Sequence, residues 1–168
     1  MAQDQCISRL GGWEGYDVES CVTEMRRGVS WCFVRLSVQP GRERRCSGCF
    51  RSCHAIHDLE LRRIRDLPVF EHRTVIVFPR VRVACPDCGP RVEHLGWLDP
   101  YARVTRRLGE SVARLCKVAS VLHVARHYDL NWKTVKDLDR QYMEEQLRRA
   151  GRPAPHVIGI DEISIRKG

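Results

Sequence analysis

Two cysteine pairs, Cys46-Ser-Gly-Cys49 and Cys85-Pro-Asp-Cys88, stand 35 residues apart. A two-residue spacer lets one tight turn aim both thiolates at a single ion, and four soft ligands in a tetrahedron suit Zn²⁺. Gly48 relaxes the first turn, while Pro86 fixes φ in the second and Gly89 follows its last ligand. The stretch between the pairs carries a strand pattern, which together with the turns is the layout of a zinc ribbon. Four thiolates leave no open coordination position, so the expected Zn²⁺ is structural. It would hold together a module too small to support itself by burial alone. The alternative is a set of ordinary buried thiols. A redox dithiol is disfavoured because no thioredoxin-like βαβ pattern surrounds either pair.

Cys53, His54 and His57 are near enough in sequence to supply a substitute ligand. With the Cys₄ set already complete, Cys53 is expected to pack and the histidines to be solvated. Cys6, Cys21, Cys32 and Cys116 have no paired spacing and read as small buried hydrophobes, Cys21 and Cys32 facing each other across a hairpin. Nine cysteines without a secretory pattern at MAQDQCISRL point to a reducing compartment, the cytoplasm. No run approaches ~18 apolar residues, which excludes a helical membrane span.

The chain divides by periodicity. Residues 16–25 and 29–39 alternate as a β-hairpin, ended by Pro40-Gly41. Two further strands are predicted at 73–78 and 80–85, broken by Pro79, with Arg-Val alternation giving the second a wet, basic face. From residue 101 the period becomes helical. Helices are predicted over 104–116, 118–128 and 131–150, the last stopped by Gly151 and followed by a 152–155 linker. The expected fold is α+β: an N-terminal β-hairpin (1–40), a zinc-ribbon module (41–98), a helical module (99–150), then a linker and one strand (151–168).

The net charge of +8 is uneven: −1 over residues 1–40, +5 over 41–110, +3 over 111–150 and +1 over the remainder. A polyanion is expected to dock on the middle. Of the 29 basic residues 25 are Arg, whose flat fork matches phosphates and guanine edges, although a GC-rich coding bias would also enrich Arg. Residues 124–138, VARHYDLNWKTVKDL, have the order of a helix-turn-helix. Ala125 permits close helix contact, Leu130 closes the turn, Asn131 caps the second helix, and Val135, Leu138 and Tyr142 face inward. Asp129 stands where such turns usually hold Gly, and Asp tolerates the left-handed conformation. The opposite face offers Lys133, Thr134, Lys136 and Arg140, with Asn131 at its start, to double-stranded DNA in a major groove. A helical hairpin in an unrelated bundle is the alternative.

The hairpin, the C-x-x-C…C-x-x-C ribbon with DLPVF between the pairs, VARHYDLNWKTV and the closing IGIDEISIRKG together resemble the insertion-sequence transposases of the ISL-three type. The resemblance covers residues 10–168. It implies Zn²⁺ on Cys46, Cys49, Cys85 and Cys88, and recognition of terminal inverted repeats by residues 118–142. It also implies that Asp161 is the first carboxylate of a DDE triad on an RNase H-like sheet. That triad holds two Mg²⁺ ions in a complete catalytic domain. Glu162, its neighbour in the strand, faces the other way. No later residue supplies the two further carboxylates, so the expectation is the N-terminal part of a transposase that binds DNA without cutting it, associates with the nucleoid, and joins a synaptic homo-oligomer only at full length. The competing expectation is a stand-alone zinc-containing regulator or repressor of transposition.

Overall fold

The computed structural model describes residues 11–151. Five strands and three helices lie wholly within them: β1 (Tyr16–Arg26), β2 (Val29–Val38), β3 (Ile56–Val69), β4 (His72–Cys85), β5 (Gly89–Val92), α1 (Arg106–Cys116), α2 (Val121–Tyr128) and α3 (Trp132–Ala150). The class is α+β, as expected. Asp161, Glu162 and the strand predicted around them lie outside the described residues.

The strands form one sheet in the order β1-β2-β4-β3, with β5 on β4. Arg27 and Gly28, both at positive φ, make the two-residue turn between β1 and β2, the backbone that matches strand twist. β2 also pairs in parallel with β4, Trp31–Arg35 against Arg73–Val77. The sheet therefore runs across the boundary predicted at residue 40. Cys32, Val34 and Leu36 are buried, and a lone hairpin could not cover them.

Pro79 does not divide β4, contrary to the sequence reading. β3 occupies one edge of β4 along most of its length, so β2 and β5 share the other. β2 pairs up to Val77 and β5 begins at Arg82, and Pro79 falls in the gap between them. Its missing N–H deprives no partner there. β3 itself was not anticipated. Over residues 58–62 Leu59 and Leu61 face solvent while Asp58, Glu60 and Arg62 share the face of buried Ile64 and Asp66, the reverse of the usual alternation. The predicted wet face of residues 80–82 holds for Arg82, whose side chain is 42% accessible, but not for Arg80, which is 6% exposed.

On one sheet face Cys32, Val34, Leu36, Ile64, Ile76 and Phe78 pack under Trp13, Tyr16, Trp97 and Leu98. Phe78 meets the Tyr16 and Trp97 rings edge-on at 5.6 and 5.1 Å. Buried Glu93 lies 2.8 Å from the Tyr16 hydroxyl and 2.5 Å from the Arg42 guanidinium. Burial and the Glu93 carboxylate push the Tyr16 phenol above its ordinary range, so it remains a donor.

A second core belongs to the helices: Val104, Leu108, Val112, Val124, Ala125, Tyr128 and Val135. The junction between sheet and helices is Asp66, 1% exposed. Its carboxylate accepts from Trp13 Nε1 at 3.1 Å, Leu67 N at 2.8 Å, Thr105 Oγ1 at 2.6 Å, Arg107 Nε at 2.7 Å and Arg107 Nη2. Val104 forms a parallel bridge with Arg65, so the chain enters α1 from the edge of β3. Thr105 then caps α1, its hydroxyl also accepting from Leu108 N at 3.4 Å. Asp66→Ala would strand these donors and is expected to cost about 3 kcal/mol. Denaturant unfolding checks this, with Asp66→Asn losing less because it keeps an acceptor oxygen.

Candidate metal centre and nucleic-acid interface

Cys46 lies in the loop after β2, where it bridges Glu93, and Cys85 ends β4. These placements bring the two pairs together, the Sγ atoms of Cys46, Cys49, Cys85 and Cys88 lying within 4.8 Å of one another. Four sulfurs around Zn²⁺ at ~2.3 Å are spaced about 3.8 Å apart. Cys49 and Cys85 are at 3.5 Å. The Gly48 N–H donates to Cys46 Sγ at 3.3 Å. A Cβ on Gly48 would sit 3.3 Å from Cys88 Sγ, so the small residue keeps the turn close around the sulfurs. Burial raises the Cys85 thiol, but N–H groups of Cys88 and Asp87, with the Cys49 and Cys46 thiols, bring it down to about 6. Cys85 is thus pushed toward the thiolate, while the hydrogen bond with Cys49 and burial push Cys88 up to about 12. The donor set fits a soft ion in tetrahedral coordination, compatible with structural zinc.

Cys53 stands outside this set. It is buried against Val81 and Val83 beside the cluster, and its thiol donates toward the Arg51 carbonyl at 3.5 Å. His54 and His57 are exposed, and His57 lies 2.9 Å from Asp58. Cys21 is exposed rather than buried, yet its Sγ is 3.3 Å from that of buried Cys32 across the first hairpin. Cys116 is half-buried, and Cys6 lies outside the described residues.

The helical pair is built by local chemistry. Ser120 caps α2, and Asn131 Oδ1 accepts from Lys133 N at 2.9 Å to cap α3. Between them Asp129 takes φ 51° and ψ 53°, the left-handed conformation. The Leu130 N–H then reaches back to the Ala125 carbonyl at 2.9 Å, closing the α2 terminus. Val135 is fully buried against Val124 and Ala125, while Leu138 packs at the edge of the same core. The outer face of α3 carries Lys133, Lys136 and Arg140, all exposed, with Thr134 half-buried and Asn131 exposed at its start. Lys133 lies over the Trp132 ring at 5.7 Å, and Arg140 pairs with Asp137 at 3.1 Å.

The turn is also held from the sheet, which the sequence reading missed. Arg73 donates to the Asp129 carboxylate at 2.5 Å. Arg65 donates to the Tyr128 carbonyl at 3.0 Å and the Asp129 carbonyl at 3.3 Å. Both guanidiniums lie over the Trp31 ring, at 5.0 Å for Arg65 and 5.7 Å for Arg73. Asp at position 129 therefore does two things that Gly could not combine: it accepts the left-handed backbone and presents a carboxylate to β4. The only cue available in advance was the pattern of arginines flanking DLPVF.

This geometry defines a helix-turn-helix mounted on a β-sheet that bears a four-cysteine cluster. Residues 93–143 match the model of the helix-turn-helix domain of transposase family ISL3. The chain is 35% identical over 170 aligned residues to the transposase for insertion sequence element IS1001 of Bordetella parapertussis, with all of this chain covered. It spans 41% of that relative's length. The chain belongs to the ISL3 transposase family. No solved structure matches it. None of the described helices is long and apolar enough to cross a membrane.

Asp129→Ala removes the carboxylate and puts a methyl group on a left-handed backbone, whereas Asp129→Gly relieves the backbone. Thermal unfolding is expected to find Asp129→Gly within about 1 kcal/mol of wild type and Asp129→Ala lower by about 1–2 kcal/mol.

Proposed function

We propose that the chain binds the terminal inverted repeats of an insertion sequence as the DNA-recognition part of a transposase, with α3 in the major groove and a structural Zn²⁺ on Cys46, Cys49, Cys85 and Cys88. The observation that carries this is α3 itself. Its buried side is committed to the helical core through Val135, and its other side leaves Lys133, Lys136 and Arg140 exposed next to the capped turn. Asn131 and Thr134 stand at the start of the same helix, where recognition helices meet base edges. The excess positive charge of residues 41–150 favours the encounter with a polyanion. Four thiolates would complete the zinc shell, so the metal's contribution is to hold the end of the sheet rather than to catalyse. On the family resemblance, Asp161 is assigned as the first carboxylate of a DDE triad, which with Mg²⁺ would supply two-metal phosphodiester chemistry.

Electrophoretic mobility shifts with a duplex carrying the element's terminal repeat test the reading. Binding is expected to weaken steeply with salt, and Lys133→Ala with Lys136→Ala to cost about tenfold or more. Wild-type affinity in that double variant would remove α3 from the interface. For the metal, elemental analysis is expected to find about one zinc per chain. Cys46→Ser or Cys88→Ser should lose it and lower the unfolding midpoint, and a folded wild-type chain without zinc would refute the assignment.

A further inference from the structure

A cavity of about 320 Å³ opens on the covered face of the β3–β4 pair, away from the helices. Its walls include Arg62, Arg80, Arg82, Glu60, Val92 and Tyr101. The register explains why these side chains converge. Asp58, Glu60 and Arg62 on β3 stand opposite Arg82, Arg80 and Phe78 on β4, all on one face. At Phe78 that face is covered by Tyr16 and Trp97. Beyond it the cover thins, and the arginines line a recess with Tyr101, 72% exposed, at its edge.

Arg80 is the unexplained group. It is 94% buried, being 6% exposed, and its Nε and Nη2 have no hydrogen-bond partner. The acidic groups near it are otherwise engaged. Glu93 is held by Arg42 and the Tyr16 hydroxyl, Asp58 by Arg82 at 2.9 Å, and Glu60, well exposed, lies 3.8 Å from Arg62. A buried guanidinium with two unpaired N–H positions is costly unless an acceptor completes it. Three of the four charged side chains lining the recess are cationic, Glu60 being the exception at its exposed side, and that excess favours an oxyanion over a second cation. Arg62 and Arg82 remain partly exposed, their side chains 35% and 42% accessible, so they can close on a group that enters from solvent. A planar fork with free N–H groups is the geometry that phosphate oxygens take.

We propose that this recess is a phosphate site, formed by Arg80 with Arg62 and Arg82, and that it takes a phosphodiester of the DNA backbone. The claim rests on the DNA-binding reading above and adds a second, sequence-independent contact to it. Arg65, which holds the helix-turn-helix turn, is five positions from Glu60, roughly 16 Å along β3. Being an odd number of positions apart, the two side chains leave opposite faces of β3, so a duplex seated on α3 would have to round the sheet edge to reach the recess. Such a contact positions the duplex and carries no base information.

The test is duplex binding by the full chain from roughly 50 to 300 mM KCl, with Arg62→Gln, Arg80→Gln and Arg82→Gln beside Lys133→Ala with Lys136→Ala. Each pocket variant is expected to weaken binding about fivefold on every sequence and to reduce the magnitude of the salt slope by about 1. Base preference should be unchanged. Inorganic phosphate is the second probe: it should raise the melting temperature of wild type saturably and leave Arg80→Gln unmoved. Arg82→Gln serves where Arg80→Gln fails to fold, because Arg82 is partly exposed. Wild-type DNA affinity and salt slope in the pocket variants, with the lysine variant impaired, would overturn the backbone contact and leave the α3 reading intact. If no duplex binds but phosphate stabilises wild type and not Arg80→Gln, the DNA reading fails and the recess stands as a site for a free phosphate. An Arg80→Met variant that is more stable than wild type and binds duplex equally would mark Arg80 as a merely buried charge and overturn the site.

Discussion

The Asp66 carboxylate is where sheet and helices become one object. Five donors converge on it, from the segment before β1, from its own strand, from the cap of α1 and from the first turn of that helix. A carboxylate at 1% exposure survives only with such complete pairing. Each donor is also a constraint. Trp13 cannot leave the first core, nor Thr105 the helix start, without exposing the charge to an apolar interior. Arg107 ties in the chain further, donating to the Gly11 carbonyl at 2.8 Å. The position of α1 against β3 is thus set by directional bonds rather than by apolar contact alone, and directional bonds fix orientation more tightly than burial does.

The helix-turn-helix inherits that orientation. α1 packs on α2 and α3 through the second core, and Arg65 and Arg73 grip the turn directly. α3 is therefore held from two sides, by the core beneath it and by the sheet at its entrance. Two arginines stacked on Trp31 lose less freedom on pairing than solvated ones would, because the ring already restrains them. The opposite end of β4 has no comparable hydrophobic mass. There Cys46, Cys53 and Cys85 surround Val81 and Val83, and a bound ion would substitute for the side chains that a larger core would supply.

Much of this was legible because it follows local chemistry. The cysteine spacing foretold the cluster, since two tight turns on neighbouring strands leave the sulfurs few other places to go. Period, caps and the terminal Gly151 located the three helices to within a few residues. β3 was illegible because over residues 58–62 its alternation is inverted, with Leu59 and Leu61 toward solvent and charged side chains on the face of Ile64 and Asp66. Pro79 misled because a rule about ladder donors does not say which edge of the strand is empty at that point. The roles of Asp66, Arg65 and Arg73 depend on contacts 39 to 64 positions apart in the chain. No window of local periodicity reports those. The stretch DLPVF was visible as a motif, but the reason for its Asp emerged only with Trp13, Thr105 and Arg107 around it.

β4 runs unbroken from Arg73, which grips the helix-turn-helix turn, to Cys85, which belongs to the sulfur cluster. Twelve residues at ~3.3 Å each make that about 40 Å. The strand is in effect a gauge block: the distance between the two ends is counted in residues, not negotiated by a linker. Adding two residues to β3 and two to β4 would keep every face and lengthen the gauge by roughly 7 Å, about two base pairs of duplex. Adding one to each would turn the inner face of everything beyond it outward. The separation of the helix-turn-helix turn and the sulfur cluster can therefore change only in steps of about 7 Å, and a hairpin of this kind quantises the distance between the modules at its two ends.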